Sequence, residues 1–87
     1  MHRAQRFEVL LFAAGREAAG GAASVQVELA PGTPPTAGAV LAVLRAHPRL
    51  GAVAASSRLA VNHTFAAADT PIVPGDELAL IPPVGGG

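Results

Sequence analysis

Apolar side chains recur along this 87-residue chain with two different periods, and each period predicts a different element. The segment Ser24–Leu29 reads SVQVEL and alternates apolar with polar positions, which is typical of a strand with one buried face. Phe7–Phe12 reads FEVLLF and is also predicted to be a strand. Between them, AAGREAAGG predicts a short helical turn closed by Gly20 and Gly21, so whether the two strands pair as a hairpin stays open.

The apolar positions take a helical period after residue 36. The stripe consists of Ala37, Val40, Leu41 and Leu44. This spacing predicts an amphipathic helix. Thr36 is the expected N-cap, because its hydroxyl can accept from a free amide of the first turn. Pro48 cannot continue a helix, so the helix should run from Thr36 to about His47.

Strand patterns return in the last third of the chain. Arg58–Asn62 reads RLAVN and is a predicted strand, followed by a turn and a short extended piece from Phe65. The sequence Pro-Gly-Asp at 74–76 predicts another turn, and Glu77–Ile81 is the predicted last strand, which Pro82 ends. This order favours the α+β class, with a mixed sheet and one long helix packed across one face.

A single helix covers only one face of such a sheet. If the alternate apolar positions of the first strand face the helix, Phe12 points to the opposite side, and the same holds for Ile81 in the last strand. We therefore expect Phe12, Ile81 and Phe65 to form an exposed apolar patch close to the C-terminal tail, of the kind that contacts a partner. The alternative is that a loop covers them.

Composition excludes several function classes. Six arginines balance six acidic residues, and three Phe with no Trp or Tyr offer few stacking surfaces, so nucleic acid is not an expected partner. No segment is apolar enough to span a bilayer or to serve as a secretory signal, so we expect no membrane association and a cytoplasmic location. The chain has no Cys and no Lys, which excludes thiolate and Schiff-base chemistry.

The isolated polar residues do not suggest an active site. Asp76 and Glu77 are adjacent, and neighbouring strand residues point to opposite faces, so turn capping is expected rather than acid–base chemistry. His63 has no partner at a ligand spacing, and no metal site is expected. Asn62 should shape a turn because Asn tolerates the left-handed region. Arg16 should lie on a solvated helical turn.

The chain ends in LALIPPVGGG, which divides it into a folded domain over residues 1–81 and a tail over residues 82–87. Pro82 and Pro83 predict a stiff, extended spacer, and Gly85, Gly86 and Gly87 could enter a channel too narrow for side chains. Taken alone, the glycines are more simply a frayed end. The alternative is delivery of the terminal carboxylate to another protein, where it would be activated as an acyl-adenylate with ATP.

The segments VNHTF and DTPIVPGDELALIPPVGGG resemble the C-terminal signature of the small, sulfur-carrier subunit of molybdopterin synthase. LLFAAGREAAG resembles the first strand and helical turn of that family, so the resemblance spans nearly the whole chain. It implies the ubiquitin-like β-grasp fold, in a superfamily that also includes the thiamin sulfur carrier. Gly86 and Gly87 match the family's diglycine, and Gly85 occupies its variable position.

The resemblance implies a function for the tail. The carboxylate of Gly87 would be adenylated by an ATP-dependent activating enzyme and converted to a thiocarboxylate with a sulfur donor. It would then donate sulfur to cyclic pyranopterin monophosphate in the large synthase subunit, within a heterotetramer, to form the molybdopterin dithiolene. The chain would be a non-catalytic donor subunit that binds no cofactor. Residues implied to contact the large subunit are Phe12, Phe65, Ile81, Pro82, Pro83, Val84 and Gly85.

Two alternatives stay open. The chain could carry sulfur to another acceptor, such as thiamin thiazole or tRNA, because related carriers resemble one another and the acceptor lies on the partner. It could instead be a ubiquitin-like modifier that is attached through Gly87 to lysines of other proteins.

Overall fold

A computed structural model describes residues 4–83, which form a five-stranded mixed sheet with helices packed on one side. The strands are β1 (Gln5–Leu11), β2 (Ser24–Leu29), β3 (Arg58–Val61), β4 (Thr64–Phe65) and β5 (Leu78–Ile81), and the helices are α1 (Ala13–Ala18), α2 (Ala37–Ala46) and α3 (Gly51–Ala54). The α+β class and the mixed sheet expected from the sequence are confirmed. The predictions made for Val84, Gly85, Gly86 and Gly87 concern residues outside the described range.

The strand order is β2-β1-β5-β3-β4, and the parallel pair of β1 and β5 lies at the centre. The remaining pairs are antiparallel. Because β1 and β5 run in the same direction, with Leu11 opposite Leu80, the residues that follow both strands meet at one end of the sheet. That end is also where β3 begins, since Arg58 lies opposite Ile81.

The first two strands form an antiparallel hairpin with α1 inserted at its tip. The register runs from Gln5 opposite Leu29 to Leu10 opposite Ser24. The hairpin that the sequence left open is therefore present.

Helix α2 begins and ends at the predicted caps, Thr36 and His47. The Thr36 hydroxyl accepts a hydrogen bond from the Ala39 amide at 3.1 Å, and the helix ends at Ala46. His47 is already extended because Pro48 disfavours helical geometry at the preceding residue. The helix has 10 residues, so the expectation of one long helix is corrected. The short helix α3 follows it.

The core lies between the helices and one face of the sheet. Val40 and Leu44 of α2 are fully buried, as are Leu11 of β1 and Leu80 of β5. Removing one such side chain from water contributes roughly 1.5 to 3 kcal/mol to folding. This burial fixes which face of the sheet turns inward, and it leaves the alternate residues of every strand on the other face.

Candidate functional site

The sheet face opposite the helices carries an open apolar groove of about 350 Å³, which we call the sheet groove. It is lined by Phe12, Ala60, His63, Phe65, Glu77, Ala79 and Ile81. Phe12 is 42% exposed and Phe65 is 50% exposed, while Ile81 is half-buried. The apolar patch expected from alternation is therefore present on the surface, and the structure brings its three members together.

The groove results from strand register and from side-chain size. Phe12 follows the end of β1, and Ile81 ends the parallel strand β5 beside it. Ala60 lies opposite Ala79 on one neighbouring strand and opposite Phe65 on the other. The two alanines are small, so they form a shallow floor between the larger side chains.

The turn between β3 and β4 is tied to the loop before β5 by Asn62 and Asp76. The Asn62 amide group donates to the Asp76 carboxylate at 2.9 Å, and its carbonyl oxygen accepts from the Glu77 amide at 2.9 Å. The Asp76 carboxylate also accepts from the Val73 amide at 2.8 Å. These hydrogen bonds lower the pKa of Asp76, and the one from Asn62 has the largest effect. The turn-capping role predicted for Asp76 is confirmed.

The residues of this turn have an unusual backbone conformation. Asn62 has φ of 51° and His63 has φ of 71°. Positive φ at both central residues is typical of the tight turn that matches the twist of a two-residue hairpin. The prediction that Asn62 shapes the turn is confirmed.

His63 and Glu77 form a pair at the groove end away from the tail. Nε2 of His63 lies 2.7 Å from Oε2 of Glu77, and both side chains are largely in solvent. This pair could not be predicted from the sequence, because the two residues meet only when the β3–β4 turn lies beside the start of β5. Within residues 4–83, no three His, Asp or Glu side chains are grouped to hold a metal ion.

Two arginines stack on the exposed phenylalanines of the groove. The Arg58 guanidinium carbon lies 3.9 Å from the centre of the Phe65 ring, and that of Arg16 lies 5.8 Å from the centre of the Phe12 ring. Such contacts are favourable because the ring face is electron-rich. Arg16 is exposed, as expected, but neither ring contact was predicted from the sequence. Both arginines lie toward the end of the sheet where Ile81 is placed.

The tail begins at this same end. Strand β5 ends at Ile81, Pro82 is half-buried and Pro83 is exposed. The structure thus places Phe12, Phe65, Ile81 and Pro82 at or beside one groove. No helix in the described range, residues 4–83, is long and apolar enough to cross a membrane.

Comparison with known proteins identifies the family. Residues 9–87 match the ThiS family model. The structure of SAMP1 from Haloferax volcanii is similar with a TM-score of 0.74 and 35% sequence identity, covering 95% of this chain and 100% of that chain. A structure of the H. volcanii small archaeal modifier protein 1 gives a TM-score of 0.70 and 31% identity, covering 91% of this chain and 98% of the other.

A third similar structure is a complex of subunits 1 and 2 of the molybdopterin-converting factor from Helicobacter pylori 26695. It matches with a TM-score of 0.67 and 21% identity, covering 95% of this chain and 100% of that chain. At this identity the likeness shows the fold. Together, the family match and the solved structures show that the chain belongs to the ThiS family and has the ubiquitin-like β-grasp fold of small sulfur carriers and modifiers.

Proposed function

We propose that this chain is the sulfur-carrier subunit of molybdopterin synthase. The observation that carries the proposal is the sheet groove, where Phe12, Phe65 and Ile81 form an apolar surface beside the point at which the tail leaves β5. A surface in this position can hold a partner while the tail reaches into that partner's active site. The PPV-x-GG ending and membership of the ThiS family support the same function.

The proposed chemistry takes place at the C-terminal carboxylate of Gly87. A carboxylate oxygen attacks the α-phosphorus of ATP on an activating enzyme, which forms an acyl-adenylate and releases pyrophosphate. Sulfide-level sulfur from a donor protein then attacks the acyl carbon, and AMP leaves. The sulfur of the resulting thiocarboxylate replaces an oxygen on a carbon of cyclic pyranopterin monophosphate, and water then cleaves the acyl–sulfur bond, which returns the Gly87 carboxylate. One loaded carrier is used for each sulfur of the dithiolene.

The partner in this proposal is the large subunit of the synthase, in a heterotetramer. The H. pylori structure with the same fold is a complex of two molybdopterin-converting factor subunits, which supports a second subunit as partner. Ordering the three terminal glycines would cost roughly 1 to 2 kcal/mol each in backbone entropy. Hydrogen bonds from the large subunit and burial of the groove would offset that cost.

The described residues contribute docking rather than catalysis in this proposal. The Asp76 carboxylate is occupied by hydrogen bonds from Asn62 and Val73. The His47 ring accepts from the amides of Arg49 and Leu50 through Nδ1, so it closes the turn after α2. In this proposal ATP binds to the activating enzyme and not to this chain, and the reaction takes place in the cytoplasm, where ATP is available.

The test is the intact mass of the protein isolated from its own cells under mild, non-reducing conditions, followed by sequencing of the C-terminal peptide. We expect a mass gain that corresponds to one sulfur in place of one oxygen, located at Gly87. A variant lacking Gly86 and Gly87, which ends in a single glycine, is the matched control, and it should fold normally but carry no sulfur and support no dithiolene formation. If the full chain keeps a plain carboxylate with the activating enzyme, ATP and a sulfur donor present, the proposal is wrong.

A ubiquitin-like modifier is the second candidate, and one observation favours it. The two structures of the small archaeal modifier share 35% and 31% identity with this chain, against 21% for the molybdopterin-converting factor. A modifier would form an amide between Gly87 and lysines of target proteins. A protease that cleaves after Glu would leave residues 78–87 on the modified lysine, and detection of that remnant would support this function.

A carrier for another acceptor is distinguished by its partner. Co-purification with a thiazole synthase or a tRNA-thiolating enzyme, without the large synthase subunit, would redirect the proposal to that acceptor.

A further inference from the structure

We infer that Arg58 forms an ion pair with an acidic side chain on the large synthase subunit, at the border of the surface that covers the sheet groove. The inference rests on the proposed function, since it names a specificity contact of the same docking face. The partner surface would combine an apolar centre, which meets Phe12, Phe65 and Ile81, with a carboxylate at its edge.

The position of Arg58 is fixed by register and by stacking. It begins β3 directly opposite Ile81, the last residue of β5 before the tail. Its guanidinium carbon lies 3.9 Å from the centre of the Phe65 ring, so the planar group is held against the groove wall. A stacked guanidinium loses less conformational entropy when it binds a partner than a free side chain does.

The part of the chain that the structure describes leaves the donors of Arg58 available. Within residues 4–83, no side chain or carbonyl accepts a hydrogen bond from its guanidinium, and no carboxylate pairs with it. The side chain is exposed. A guanidinium offers a planar fork of N–H donors that matches the two oxygens of a carboxylate, which makes an acidic residue its preferred protein partner.

The charges of this sheet face are separated along the strands. Glu77 pairs with His63 at the far end of the groove, and Glu28 of the edge strand β2 pairs with Arg6 of β1. The Glu8 carboxylate accepts a hydrogen bond from the Ser24 hydroxyl, so it also lies on the β1–β2 side of the sheet. At the tail end, two charged side chains among the described residues stack on phenylalanine rings of the groove. They are Arg58 and Arg16, and both are cationic. A partner that approaches this end therefore meets positive charge around an apolar centre.

The test is a calorimetric titration of the full chain with the large synthase subunit from the same organism. We expect Arg58→Glu to weaken binding about thirtyfold at about 0.05 M NaCl, and the loss to shrink markedly at about 0.5 M because salt screens charges. Arg58→Lys keeps the charge but loses the planar fork, so it should fall between the wild type and Arg58→Glu.

Arg49→Glu is the matched control. Arg49 is also exposed, but its guanidinium lies near Gly20, away from the groove, and the change in net charge is identical. It should change affinity less than about twofold if the contact of Arg58 is local. Far-UV circular dichroism and thermal melting of each variant verify that it remains folded.

The outcomes separate the inference from the function on which it rests. If Arg58→Glu and Arg49→Glu have the same effect while Phe12→Ala still weakens binding, Arg58 only covers the Phe65 ring and the inference is wrong. A large effect that does not depend on salt also contradicts an ion pair. If Arg58→Glu impairs adenylation by the activating enzyme but leaves binding to the large subunit unchanged, the acidic side chain belongs to the activating enzyme and the inference is wrong. If the wild-type chain does not bind the large subunit, the proposed function itself fails.

Discussion

Truncation of Phe12 to alanine should weaken docking to the large synthase subunit while leaving the domain folded. The ring is 42% exposed in the free chain. With about 200 Å² for a phenylalanine side chain, that leaves roughly 85 Å² for a partner to cover. At about 25 cal/mol per Å², the lost burial is about 2 kcal/mol, which corresponds to roughly thirtyfold weaker binding.

The measurement is a calorimetric titration of wild-type and variant chains, with urea unfolding of each to check stability. Val73→Ala is a matched control, because Val73 is 58% exposed but does not line the sheet groove. That variant should bind within about twofold of the wild type. If the folded Phe12→Ala variant also binds within about twofold of the wild type, burial of the Phe12 ring does not stabilise the complex and the groove is not the docking surface.

Three further changes test the fold, two of them at the turn beside the sheet groove and one in α2. Asn62→Ala removes the hydrogen bonds to Asp76 and Glu77 and places alanine at φ of 51°, so it should destabilise the domain by about 2 kcal/mol in urea unfolding; a loss below about 0.5 kcal/mol would contradict this account. Hydrogen bonds lower the pKa of Asp76 in the folded domain below its ordinary 3.8. The stability that the Asp76 carboxylate adds is therefore present above pH 3.8, and it is lost as the pH falls through the pKa of the folded state. Asp76→Asn should therefore make thermal stability less sensitive to acid, and an unchanged pH profile would refute the assignment. Gly38→Val would place a side-chain carbon 2.7 Å from the Ala68 carbonyl oxygen, so it should destabilise by about 1 to 3 kcal/mol, and an unchanged urea midpoint would refute that contact.

Local periodicity was sufficient for most of the fold. The strands and α2 were predicted because a buried face leaves a period of two or of 3.6 in the sequence. The ends of α2 were predictable because Thr36 and Pro48 act on the backbone within a few residues. Helix α3 has only four residues, three of them apolar, so it is too short to show a period.

The candidate site was predictable only in part. Alternation placed Phe12 and Ile81 on the face away from the helix, and the structure agrees. The stack of Arg58 on Phe65 and the pair of His63 with Glu77 gave no such signal. Each depends on which strands are neighbours, and strand order leaves no mark in the sequence of one strand.

The sequence by itself determined the class of elements and the inward face of each strand, and it contains the glycine run at 85–87 on which the proposed function depends. These are local properties, set by side-chain size, by proline and glycine, and by burial of one residue in two. Only the tertiary structure decided that the parallel pairing of β1 with β5 brings Phe12 beside Ile81, with Arg58 at the same end. The reason is that register between distant segments is chosen by packing of the whole core, to which β1, β2, β3, β5 and α2 contribute.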